Sequence, residues 1–138
     1  KGENPYYDAF IGYRVATDAG NVERLFCALM RRGFRVFWDK VSLKAGRDWE
    51  EGFCDGLVQS RVFVPLLSRA ALYGNEANPP PEPQRVSKAN VGALTATSRC
   101  DNVVLEHAMV LELQARQLID RVVPVLMDAG VSAEGAAE

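Results

Sequence analysis

Tyr7-Asp8-Ala9-Phe10-Ile11-Gly12-Tyr13, then the spaced apolar residues Val22, Leu25, Phe26, Leu29 and Met30, then Arg35-Val36-Phe37-Trp38: this stretch decides the fold. Its two ends are short, apolar and rich in aromatic and β-branched residues, as buried strands are. The middle repeats apolar residues at i, i+3, i+4, i+7 and i+8, the stripe of a helix that lays one face on a core. Gly33 closes the stripe, and a residue without a Cβ suits the C-cap that ends many helices. Strand, helix and strand in this order make a parallel crossover unit.

The alternation continues outward from that unit. Arg61 to Leu67 reads as a third strand and Arg121-Val122-Val123-Pro124-Val125-Leu126-Met127 as a fourth. A helix from about Trp49 to Ser60 precedes the third, and Asp101 to Leu113 reads as a buried helix ahead of the fourth. The chain is therefore expected to be α/β, built on a mainly parallel sheet. Pro65 and Pro124 have no N–H to give a ladder, which argues against a central position for every residue of those two strands. Gly52 and Gly56 weaken the second helix by roughly 1 kcal/mol each relative to alanine, so its packing must compensate. From Gly74 to Cys100 the pattern dissolves into Asn78-Pro79-Pro80-Pro81-Glu82-Pro83-Gln84 and small polar residues, expected as a long loop or insertion. Its prolines read as a stiff spacer, with a polyproline ligand as the alternative. One domain over residues 6–127 is expected, followed by a small, acidic tail over 128–138.

Composition excludes several classes of function. A chain of 138 residues, 48% hydrophobic, suits one globular core. Its formal net charge of −2 argues against nucleic acid or an anionic membrane as the main partner. No apolar run approaches the length of a bilayer span, and Lys1-Gly2-Glu3-Asn4 has no signal-peptide pattern, so a soluble, cytoplasmic domain is expected. Cys27, Cys54 and Cys100 show no CxxC or Cys/His spacing, which suggests neither a disulfide framework nor a metal site. Cys27 and Cys54 fall in helices and are expected as buried thiols of a reducing compartment.

One carboxylate stands out. Glu106 heads the helical row Met109, Val110 and Leu113, where a charge costs free energy unless it is paired, hydrated in a cleft or used. The plainer reading is that the first turns of a helix favour acids through the dipole. His107 points about 100° away around the helix, so the two make no dyad, and a lone histidine reads as a surface or packing residue. Open parallel sheets bind ligands outside the carboxyl ends of their strands, here the loops after Tyr13, Trp38 and Leu67. The first holds Arg14, Thr17, Asp18 and Asn21, and the second runs from Asp39 to Trp49. Neither a GxGxxG nor a Walker fingerprint occurs, so phosphates would be held by arginine and scattered backbone amides.

With these residues in order, the chain resembles a known family, the Toll/interleukin-1 receptor (TIR) domain. Tyr7-Asp8-Ala9-Phe10-Ile11-Gly12-Tyr13-Arg14 is similar to its box 1, with Gly12 where serine is usual. Gly33-Phe34-Arg35-Val36-Phe37-Trp38-Asp39, followed by Leu43-Lys44-Ala45-Gly46, resembles its second strand and BB loop. Ser60-Arg61-Val62-Phe63-Val64-Pro65-Leu66-Leu67-Ser68 resembles its third strand. The resemblance implies a flavodoxin-like, three-layer fold with strand order 2-1-3-4. In the family a helix, a fifth strand and a final helix follow, whereas only Val131 to Glu138 remains here, so the fifth strand is expected to be missing or truncated.

The family contains self-associating signalling scaffolds and enzymes that cleave NAD⁺. In the enzymes the catalytic residue is a glutamate on the helix after the third strand, and its place here is Glu106. Scaffolds often keep that glutamate too. Leu43-Lys44-Ala45-Gly46-Arg47-Asp48-Trp49 is similar to the enzyme type, in which an aromatic after the glycine lines the nicotinamide site, and lacks the Arg-Asp-x-x-Pro-Gly form of the receptors. The resemblance thus implies an NAD⁺ hydrolase in immune or cell-death signalling, with NAD⁺ as substrate, no separate cofactor, and other TIR domains as partners. Glu106 would hold the ribose hydroxyls, and Lys44, Gly46 and Trp49 would belong to the substrate loop. Trp49 either stacks on the nicotinamide ring, worth roughly 0.5–2 kcal/mol, or packs on the sheet. Arg14 either meets the pyrophosphate or is a solvated surface group. Tyr13 and Asp39 are candidates by loop placement. Asn102 stands where tryptophan is common, four residues before the glutamate. The alternative function is a non-catalytic TIR scaffold; a phosphoacceptor receiver would need an aspartate where Ser68 stands.

Overall fold

β1 (Tyr7–Gly12) is the strand on which the sheet is built. In this computed structural model, which describes residues 5–43, 49–73, 95, 97 and 102–127, β1 pairs in parallel with β2 (Val36–Phe37) and β3 (Ser60–Ser68). β3 pairs in parallel with β4 (Arg121–Val122) and β5 (Val125–Met127). The helices are α1 (Val15–Arg31), α2 (Asp39–Ser42), α3 (Trp49–Val58), α4 (Arg69–Tyr73) and α5 (Asn102–Ala115). The expected parallel sheet in the order 2-1-3-4 is present, with the fourth strand divided in two. The expectations for the 74–100 insertion, apart from Thr95 and Thr97, for the 128–138 tail and for a fifth strand lie outside the described residues.

The division of the fourth strand follows from its proline. Val62 faces Arg121 before the break and Leu66 faces Val125 after it, so the register is unchanged across the gap. At that register Pro124 stands opposite Pro65. Neither residue has an N–H, so the ladder lapses there and resumes one residue later. Pro65 nonetheless keeps a central place in β3, opposite Gly12 of β1.

Side chains of β1 alternate between the two faces of the sheet. Phe10 enters a core with Phe37, Phe53, Leu57, Phe63, Val110 and Ile119, covered by α3 and α5. Ile11 and Tyr13 enter a second core with Val22, Val36, Trp38 and Leu66, covered by α1. The α1 stripe packs here through Val22, Leu25, Phe26 and Leu29. Met30 departs from it and is exposed, because it lies about 80° around the helix from Val22, at the margin of the buried face. Cys27 also corrects the sequence reading: about 140° from Val22, it is exposed, and Cys54 is half-buried. Among the described residues no helix is long and apolar enough to cross a membrane.

α3 resolves the question raised by its glycines. A Cβ at Gly56 would collide with the Phe37 ring, and one at Gly52 would lie 2.7 Å from Leu43 Cδ2. The small residues let the helix approach the sheet closely enough to bury Phe53 and Leu57. The two-residue edge strand β2 is held by a clamp beside it. Asp8 Oδ2 accepts the Arg35 backbone N–H at 2.8 Å, and Asp8 Oδ1 accepts from the Arg35 guanidinium at 3.2 Å. The Arg35 donors hold the Asp8 carboxyl below the usual carboxylate range.

Two helices end in the same motif with different residues. After α1, Gly33 (φ +84°) donates to Met30 O at 3.0 Å and Phe34 N–H to Leu29 O at 3.2 Å. This left-handed Schellman ending is repeated after α5, where Gln117 (φ +59°) donates to Gln114 O and Leu118 N–H to Leu113 O. A side chain disfavours that conformation, and Gln117 is exposed. Gln117→Gly is expected to stabilise the fold by about 0.5–1 kcal/mol, read as a higher denaturation midpoint at constant m-value. A lower midpoint would show that the glutamine side chain contributes more than its backbone strain costs.

Candidate functional site

The end of β1 carries no side chain, and the Phe63 ring and the Glu106 carboxylate share the space. A Cβ built on Gly12 would lie 3.0 Å from Glu106 Oε2 and 2.5 Å from Phe63 Cζ. Glu106, half-buried in the second turn of α5, therefore sets its carboxylate against the backbone at the carboxyl end of the sheet. Its row reads as expected: Val110 is buried, and Met109 and Leu113 pack against the core of the same face. His107 is a packing residue, with its ring edge-on to Phe63 at 5.7 Å. Asn102, where the family commonly has tryptophan, is exposed at the start of α5.

Tyr13 comes to the same strand end from the opposite face. It is buried, and its hydroxyl donates to Asp39 Oδ1 at 2.9 Å. That oxygen also accepts the Lys40 N–H at 2.7 Å, so Asp39 ties Tyr13 to the first turn of α2. Trp38 begins this turn; Ser42 Oγ accepts its backbone N–H at 3.1 Å, and Lys40 Nζ lies 5.7 Å from its ring centroid. Burial pushes the Tyr13 phenol up, the Trp38 indole N–H pulls it down, and the Asp39 acceptor and the charges of Asp39 and Glu106 push it up again, to about 12. Asp39 and Glu106 thus both act on Tyr13 at one end of the sheet. The phenol keeps its proton at physiological pH and remains a donor.

Arg14 corrects the plain surface reading. It is only 8% exposed, and its Nε donates to Ala71 O at 3.1 Å. Thr17, Asp18 and Asn21 belong to the first turns of α1 and not to a loop. Asp18 is 1% exposed; its Oδ2 accepts from Ser68 Oγ at 3.0 Å, and Ser68 Oγ accepts the Ala71 N–H at 2.9 Å. This buried polar group fastens α4 and the end of β3 to the β1–α1 junction. Sequence reasoning missed it, although the signal was present: Asp18 stands four residues before Val22 and heads the stripe Val22, Leu25 and Leu29, as Glu106 heads its own row.

The structure brings Tyr13, Arg14, Asp39 and Glu106 to the carboxyl end of the sheet. Lys44, Gly46 and the side chain of Trp49 lie outside the described residues, although the backbone of Trp49 opens α3. A family model described as "TIR domain" matches residues 10–136. No curated protein matches. Among solved structures, the TIR domains of the activated Roq1 resistosome directly recognizing the pathogen effector XopQ are similar, with a TM-score of 0.61 and 24% sequence identity. That match covers 87% of this chain and 57% of the other, so the chain spans little more than half the length of that relative. At this identity the likeness is one of fold.

The Tyr13 environment makes a prediction independent of any substrate. Difference titration at 295 nm between the protein and Tyr13→Phe is expected to show a phenol ionising near pH 12, with Glu106→Gln and Asp39→Asn each lowering the midpoint. Between pH 10 and 12 the unfolded chain ionises first, so this tyrosine makes stability fall across that window, and Tyr13→Phe should flatten the decline. An unchanged midpoint in Glu106→Gln would mean that the carboxylate does not face Tyr13.

Proposed function

Because the chain belongs to the TIR domain family, we propose that it cleaves the nicotinamide–ribose bond of NAD⁺, releasing nicotinamide and ADP-ribose or a cyclic variant. The observation that carries the proposal is the Glu106 carboxylate lodged against Gly12 at the carboxyl end of the central strand. That is where ligands of open parallel sheets react. The reaction asks little of the protein. When the bond from ribose C1′ to the ring nitrogen breaks, the electron pair leaves with nicotinamide, turning a cationic ring into a neutral molecule, so no general acid is needed. Positive charge develops on the ribose, and water adds at C1′ and loses a proton. A glycosidase divides such work between two carboxylates, whereas here one suffices.

Glu106 would hold the ribose hydroxyls and stabilise a charge that grows toward the transition state, which raises kcat rather than tightening ground-state binding. Tyr13 and Asp39 would shape the wall beside it, with the Tyr13 phenol protonated at working pH. Arg14 would offer positive charge to the pyrophosphate from a guanidinium anchored through Ala71. Lys44, Gly46 and Trp49 would close the nicotinamide side. Association between copies is part of the reading, and the matched TIR domains belong to an activated resistosome. Immune or cell-death signalling is the role proposed for the product.

Purified protein at high concentration with NAD⁺ and a crowding agent is expected to release nicotinamide, and Glu106→Gln to lower kcat by about a hundredfold or more at similar KM. Equal turnover in both would remove Glu106 from the mechanism. Absence of turnover in the unaltered protein, together with TIR–TIR binding lost on mutation of Lys44 to Gly46, would establish the scaffold instead.

A further inference from the structure

The role of Gly12 can be taken further, resting on the NAD⁺-cleaving reading. A Cβ at this position would meet Phe63 Cζ at 2.5 Å, Phe63 Cε2 at 2.7 Å and Glu106 Oε2 at 3.0 Å. Even alanine would therefore displace a neighbour, and the strand, the ring and the carboxylate are unequally free to move. The strand is paired in register with β3 through Gly12 and Pro65. The Phe63 ring is fully buried, 5.8 Å from the Phe10 ring and 5.7 Å from that of His107. Glu106 is only half-buried and swings its carboxylate on three torsions. A methyl at position 12 presses on both ring and carboxylate, and once the ring atoms are out of its way the carboxylate is the group left to move outward.

We propose that Gly12 is a positioning residue for Glu106: the missing side chain forms the seat in which the carboxylate rests, and residue size at position 12 sets how well it is aimed. A carboxylate stabilising a transient ribose charge is sensitive to this, because its contribution depends on where the charge forms and not on binding the ground state. Gly12→Ala is thus expected to act on kcat and to leave KM nearly unchanged.

The test separates aim from folding by using Phe63→Leu as background. Leucine ends before Cε2 and Cζ, so in Gly12→Ala/Phe63→Leu the ring atoms that the new methyl would strike are gone and only the pressure on Glu106 remains. In the full chain, the double variant should melt with Phe63→Leu, keep its KM, and turn over NAD⁺ about ten- to a hundredfold more slowly. The side-chain carboxyl ¹³C resonance of Glu106, assigned by its loss in Glu106→Gln, should move between the two. A resonance and kcat identical to those of Phe63→Leu would overturn the proposal. If no variant releases nicotinamide, the cleavage reading falls alone, and the resonance still decides whether Gly12 seats the carboxylate.

Discussion

Phe10 and Phe37 stack with ring centroids 4.7 Å apart and planes 9° from parallel, and the core on the Glu106 side of the sheet is built around that contact. The stack joins the central strand to an edge strand only two residues long, which has little ladder of its own. Aromatic pairs add about 0.5–1.5 kcal/mol each beyond the burial they bring, and here the pair extends into a cluster. Phe53 of α3 meets Phe10 edge-on at 5.4 Å, and Phe63 of β3 lies against it at 5.8 Å. The Phe37 ring rests where Gly56 has no Cβ, and the Phe63 ring where Gly12 has none. Each ring thus fills a place left by a glycine, one to seat a helix and the other to floor the site.

Two buried or half-buried acids serve this fold in opposite ways. Both Asp18 and Glu106 head an apolar helical row, and both rows pack on the sheet, one on each face. Asp18 is enclosed by the fold and used by it, accepting from Ser68 in a group that locks α4 against the start of α1. Glu106 sits half-buried at the strand end, near enough to Tyr13 for its charge to raise the phenol. A half-buried carboxylate at a strand end stays within reach of a substrate, whereas one enclosed by the fold is committed to structure.

The correspondence between sequence and structure varies with the range of the forces involved. Local patterns carried through: the α1 stripe and its Gly33 ending, the aromatic and β-branched strands, and the acid at the head of the α5 row all lie where periodicity puts them. The misreadings came where tertiary contacts decide. The sequence left Arg14 between a pyrophosphate contact and a solvated surface group, and the surface alternative fails because the carbonyl that holds the buried side chain belongs to Ala71, far along the chain. Cys27 was expected inside and faces out, because a helix buries one side whatever the hydrophobicity of a single residue on the other.

By itself, the sequence determined the class of fold and the place of Glu106 at the head of an apolar helical row, because hydrophobic periodicity and turn residues act over a few residues and are written in consecutive positions; the strand order followed from the family resemblance. Only the tertiary structure decided what Gly12 is for. Its meaning depends on Phe63 and Glu106 arriving from β3 and α5 to fill the volume that it leaves empty. Close packing is a property of three chain segments at once, and no spacing within one of them encodes it.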